Sequence, residues 1–136
     1  MRRSITGATR SAAMGAIGAA LFCAPMSVAV AAKEEASEEG KLAFNNACRT
    51  CHSFKPNDNR LGPTLHGIVG RKSGSLDGFH FSSAMKSADI TWDDSSLDKF
   101  IANPDQVVHG NAMKPYGGIA DASERHKIVD YLKTLK

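Results

Sequence analysis

Apolar residues recur at helical spacing in several stretches of this chain, separated by segments rich in proline, glycine and asparagine. Phe44, Ala47, Cys48 and Cys51 fall at i, i+3, i+4 and i+7, and Ser37 precedes them with Glu38 and Glu39 following. That pattern predicts a first helix capped by Ser37, with carboxylates in the turn where the macrodipole favours them. From Ser53 to Ser75 the composition turns to loop residues, with Lys55-Pro56-Asn57-Asp58-Asn59 and Leu61-Gly62-Pro63 as turn signals, and no strand alternation follows. Ser82 to Ala88 predicts a short helix. Thr91-Trp92-Asp93-Asp94 predicts the start of another, which places Leu97, Phe100 and Ile101 on one face and stops at Asn103-Pro104. Residues 105–120 read as one long irregular segment, because Gly110, Pro115, Gly117 and Gly118 fall within it. Loops of that length are usually functional or disordered. Asp121 and Glu124 then form a capping pair for a last helix carrying Ile128, Tyr131, Leu132 and Leu135. The expected architecture is all-α, helices joined by long loops.

The first 32 residues change this picture. Arg2, Arg3 and Arg10 precede an uncharged, alanine-rich run from Ser11 to Ala32 that closes on Ala29-Val30-Ala31-Ala32. Small residues at the end of such a run suit signal-peptidase cleavage, so residues 1–32 are expected to be a cleavable secretory signal peptide and 33–136 one domain. As a retained membrane anchor the run is weakly apolar, since Gly, Ala and Pro25 interrupt it. As a lipoprotein signal it would use Cys23, but Phe22 stands where a small residue is wanted. Charge narrows the partners. The whole chain has 17 Lys+Arg against 14 Asp+Glu, yet the surplus is the three leader arginines, which leaves 14 against 14 in the domain. A neutral domain is a poor partner for nucleic acid or anionic membrane.

The chemistry sits at Cys48-Arg49-Thr50-Cys51-His52. Two thiols three apart followed by an imidazole is the attachment pattern of a c-type haem. Cysteines at i and i+3 share one face of a helical turn, so both sulfurs can add to the vinyl groups along one porphyrin edge. His52, one step on, can then place its ring beneath the iron. A zinc site needs further ligands, and the remaining cysteine, Cys23, lies in the leader. A thioredoxin-like dithiol needs a strand before it, and none is indicated. Haem also supplies apolar mass that a domain of about 104 residues with few aromatics lacks.

An electron carrier fills both axial positions of its iron, whereas a gas binder or peroxidase leaves one open. The candidates for the second position are Met85, Met113, His66, His80, His109 and His126. Met113 stands out by context, because it lies between Gly110-Asn111-Ala112 and Pro115-Tyr116-Gly117-Gly118 in the long irregular segment. A loop wrapped over the far haem face accounts for that length.

Several separated motifs in order give the domain a resemblance to class I cytochrome c, nearest the group of mitochondrial cytochrome c and bacterial cytochrome c2. They are Gly40 to His52, Leu61 through Gly74, Gly78-Phe79, Ile90-Thr91-Trp92, Asn103-Pro104 and Met113 through Ile119. The resemblance implies a class I fold of roughly three to five helices and long loops wrapped around one covalent haem. It implies iron ligation by His52 and Met113, with the Pro63 carbonyl accepting the other imidazole N–H. It also implies that Arg71 and the indole of Trp92 bond a haem propionate, and that Gly40 and Phe44 cross the last helix at Ile128 and Tyr131. Two positions depart from the family. Phe81 stands where many members have a propionate-binding tyrosine, and Phe100 where many have a tyrosine that reaches the methionine sulfur. The docking face departs as well, with Asp105, Gln106 and Ala112 where mitochondrial relatives carry lysines and Lys114 one of few positives left. Weak electrostatic steering is expected.

The function expected is a soluble, periplasmic, monomeric carrier of single electrons, not an enzyme. Its partners would be redox proteins: a reductase or dehydrogenase as donor, and an oxidase, reaction centre or reductase as acceptor. Two other classes compete, a dedicated haem subunit of a periplasmic dehydrogenase and a peroxidase-like or sensing haem with a labile methionine. A single haem motif and the lack of an obvious distal acid–base pair argue against independent catalysis.

Overall fold

The structure, a computed structural model, describes residues 26–136. The expected leader falls mostly outside them. Five helices are found among the described residues: α1 Met26–Ala47, α2 Ser83–Ser87, α3 Asp94–Ala102, α4 Pro104–Val107 and α5 Ala122–Thr134. The fold is all-α, and the one β feature among the described residues is an isolated antiparallel bridge between Lys72 and Thr91.

The frame is the crossing of α1 and α5. Phe44 and Ile128 are fully buried there, and Leu132 nearly so. Gly40 makes the crossing close: a Cβ at this position would lie 2.5 Å from the Lys127 carbonyl oxygen and 2.8 Å from Tyr131 Cβ. Tyr131 stacks on Phe44 with ring centroids 5.5 Å apart, and Phe54 closes the group edge-on. α3 lies against α5 through Leu97 and Ile101 in the same apolar cluster. The Arg125–Asp98 pair at 2.8 Å and the Lys133–Asp94 pair at 2.9 Å tie the two helices at their edges.

Two expected boundaries are corrected. Ser37 does not cap α1, because the helix continues through it from Met26. Alanines and glutamates, strong helix formers, flank Ser37 on both sides, so nothing stops the helix there. Asn103-Pro104 ends α3 as expected, but it also starts α4. The Asn103 side chain accepts from Gln106 N at 3.2 Å, and Pro104 occupies a first-turn position where its missing N–H costs nothing. The expected cap at Asp121 is found, with others at Ser82 and Asp93. Ser82, Asp93 and Asp121 each accept from a backbone N–H at the start of α2, α3 and α5.

Candidate haem site

α1 ends at Ala47, but the chain keeps a helical turn beyond it. Cys48 N donates to Phe44 O at 2.8 Å, and His52 N donates to Cys48 O at 2.9 Å. Both cysteines are free thiols and half-buried on this turn. Burial, reinforced by the neighbouring Cys51, pushes the Cys48 thiol up to about 12. A reactive redox dithiol needs the opposite, a depressed pKa. Among the described residues no group of three or more His, Cys, Asp or Glu comes together as a metal site.

His52 is buried, with 7% of its surface exposed. Its Nδ1 lies 2.7 Å from the carbonyl oxygen of Pro63, which can only accept, so Nδ1 carries the proton and donates. Burial lowers the imidazole pKa from its ordinary value, against the opposing pull of that hydrogen bond. The ring is therefore neutral, with its Nε2 lone pair free of any protein donor among the described residues. A neutral imidazole fixed through Nδ1–H is the form that ligates a metal through Nε2. Gly62 completes the seat. A Cβ there would fall 2.3 Å from His52 Cε1, so only glycine lets the ring lie against the backbone. Gly62 N in turn donates to Cys51 O at 2.8 Å, which locks the proline loop to the attachment turn. The residues present thus fit a haem attached at Cys48 and Cys51 with His52 beneath its iron.

Behind Pro63 the loop is held by Thr64, which sequence reasoning passed over, and by Arg71. Thr64 is buried, and its hydroxyl donates to Lys55 O at 2.6 Å and accepts from His66 N at 3.2 Å. Arg71 is half-buried and donates to Thr64 O at 2.9 Å and to His66 O. Its guanidinium therefore braces the loop that carries Pro63. Trp92 N donates to Arg71 O at 2.9 Å, and Gly70 N to Trp92 O at 2.7 Å, so the bridge region joins Trp92 to the same unit. The Trp92 indole is buried against Phe100, ring centroids 5.0 Å apart. Phe81 is half-buried and stacks edge-on with Phe79 at 4.8 Å.

Met113 is half-buried in the irregular segment after α4 and lies against the apolar core that Cys48 and Leu65 also meet. The segment is pinned on both sides of it. Asn111, buried, accepts from Met113 N at 2.9 Å. Beyond Met113 the Tyr116 hydroxyl donates to Ile101 O at 2.9 Å, and burial pushes its pKa up to about 12, so it stays a donor. Ile119 N donates to the same carbonyl at 3.0 Å. Gly118 has φ +100° and passes so close to α3 that a Cβ would lie 2.0 Å from Ala102 O. Arg125 closes the end, donating to Ile119 O at 3.0 Å and Ala120 O at 2.8 Å.

The turn of Cys48, Cys51 and His52 is joined directly to the Gly62-Pro63 loop, Arg71 is joined to it through Thr64 and Trp92 through Arg71, and Met113 packs against the same apolar core as Cys48. Of the other ligand candidates, Met85 is a half-buried core residue of α2, His66 is half-buried, and His80, His109 and His126 are exposed. The residues that hold the two loops, Thr64, Asn111 and Tyr116, had only one sequence signal, short polar or aromatic side chains inside a glycine- and proline-rich stretch.

Comparison with known proteins agrees with this arrangement. Residues 37–136 match the family model described as Cytochrome c. A cytochrome c from Euglena viridis is 42% identical over 100 residues, covering 74% of this chain and 97% of that protein. A cytochrome c2 iso-2 from Magnetospirillum molischianum is 39% identical over 89 residues, covering 65% of this chain and 91% of that protein. Among solved structures, cytochrome cH from Methylobacterium extorquens is similar with TM-score 0.66 and 40% identity, covering 72% of this chain and 97% of that one. With a class I all-α fold built on the Cys48-to-His52 turn, this chain belongs to the cytochrome c family, small electron-transfer proteins that carry an iron-containing haem c attached covalently.

Proposed function

We propose that the protein is a soluble, monomeric, periplasmic carrier that passes one electron at a time between redox proteins, with His52 and Met113 as the two axial ligands. The observation that carries this reading is the His52 imidazole, buried, neutral and fixed through Nδ1–H to Pro63 O at 2.7 Å. The haem supplies the one-electron ferrous/ferric couple. The chain's part is to hold ligands still, exclude water and bind no substrate. Imidazole and thioether donors, with little solvent near them, favour the less charged reduced centre and keep reorganisation small. Arg71 and Trp92 take the propionate side in this reading, each held by the loop unit described above. Phe100, in place of a hydroxyl-bearing residue, leaves the sulfur of Met113 without that hydrogen bond.

Periplasmic location rests on residues 1–32, whose basic start and small-residue end suit export. Among the described residues no helix is long and apolar enough to cross a membrane. The test is purification of the protein from the periplasmic fraction of cells that attach c-type haem. A mass equal to residues 33–136 or near it plus one haem, and a reversible one-electron titration, are expected. A colourless product, or a ferric form that turns over peroxide at the rate of an open-site haem enzyme, would refute the proposal.

A further inference from the structure

Asp105, in the short helix α4, uses its two carboxylate oxygens on opposite sides of Met113. Oδ1 accepts from Asn111 Nδ2 at 2.8 Å, and Oδ2 pairs with Lys114 Nζ. Asn111 is 5% exposed, and both hydrogens and the oxygen of its amide are engaged. It donates also to Val108 O at 3.0 Å, and its oxygen accepts from the Met113 backbone N–H at 2.9 Å. The residues before and after the methionine are therefore both fastened to one carboxylate, which is itself seated on a helix capped by Asn103 and started by Pro104.

We propose that Asp105 and Asn111 are positioning residues for Met113: together they staple its segment to α4, so that the thioether stays on the iron and foreign ligands are kept off. The inference rests on Met113 being an axial ligand. The two halves of the staple differ in strength. The Lys114–Asp105 pair is exposed, with about half of each side chain in solvent, and pairs of that kind contribute little. Asn111 is buried, and removing its side chain leaves the Met113 N–H and the Val108 carbonyl without that partner, which costs far more. Asp105 matters mainly through Asn111.

A foreign ligand such as imidazole binds the ferric iron only in molecules whose methionine has come off. Its apparent affinity is scaled by the fraction in that state. Loosening the staple therefore tightens imidazole binding. Titration of the ferric holoprotein, followed by loss of the red charge-transfer band of sulfur-bound haem, should show about tenfold tighter binding for Asn111→Ala, the change that one lost buried hydrogen bond corresponds to. Asp105→Ala should bind a few-fold tighter, Asp105→Asn should return most of the way because it keeps an oxygen for Asn111, and Lys114→Gln should stay within about twofold. Amide hydrogen exchange gives a second readout, and protection of the Met113 N–H should fall in Asn111→Ala. If Asn111→Ala does not fold, the Asp105→Ala and Asp105→Asn pair decides the matter alone. Unchanged imidazole affinity in both alanine variants, with the red band present in the unaltered protein, would overturn the staple and leave the ligand assignment standing. Absence of the band from the unaltered protein would overturn the ligand assignment and the staple with it.

Discussion

Gly62 lacks a side chain because the His52 ring occupies that space, and the consequence is a sharp prediction. Gly62→Ala forces the ring or the loop to move, since a Cβ would sit 2.3 Å from Cε1. Overpacking of this kind costs roughly 1–3 kcal/mol, and in a domain of this size each kcal/mol lowers Tm by about 4–8 °C. Thermal unfolding of the holoprotein should show that drop, and a variant melting within a degree of the unaltered protein would contradict the seat described for His52. Phe100→Tyr tests the other side. Adding a hydroxyl at this buried position, against Trp92, should shift the reduction potential by a few tens of millivolts, the electrical equivalent of about one hydrogen bond. An unchanged potential would show that position 100 does not face the sulfur. At this scale the Cys48-to-His52 turn was plain in the sequence because covalent attachment needs those residues contiguous. Asn111 and Asp105 were not, because short polar residues abound in such loops and tertiary structure alone selects their partners.

The helices owe their limits to local chemistry that is partly visible in the chain. In α3 the Asp93 side chain accepts from Ser96 N at 2.7 Å while the Ser96 hydroxyl accepts from Asp93 N at 2.8 Å, a reciprocal cap. The Ser96 backbone N–H, then its hydroxyl, hold the Asp93 carboxyl below the usual carboxylate range. A carboxyl depressed in the folded state stabilises fully above its unfolded pKa of about 4 and loses that contribution as pH falls through the lower folded value. The Tm advantage of the unaltered protein over Asp93→Asn should therefore shrink as pH is lowered below about 4, and a constant gap would contradict the charge assignment. At the α1–α5 crossing, Gly40→Ala should push the helices apart and cost about 1–3 kcal/mol in thermal or denaturant unfolding. The cap at Asp121 was legible because it stands directly before an apolar-periodic run with Glu124 three residues on. Ser37 misled for the same reason: it resembles a cap, but helix-forming residues on both sides carry α1 through it. α4 was hidden because four residues are too few to show a period.

The domain holds the attachment turn and the Pro63–Trp92 unit together, and pins the segment around Met113 separately to α3 and α4. The long irregular segment around Met113 was legible in outline from its glycines and prolines, but the pins that hold it came only from the fold. Charge is balanced over residues 33–136, and near Met113 the cation Lys114 is already paired with Asp105. Electron transfer to protein partners should accordingly change little with ionic strength, and a steep fall with added salt would show a steering field that this surface does not suggest. The account turns on an iron clamped by His52 and Met113. The most direct test is the ferric absorption spectrum of the holoprotein beside that of Met113→Ala at neutral pH. The account predicts a sulfur-to-iron band in the red for the first and its loss, with an open or replaced sixth position, for the second. Identical spectra would contradict it.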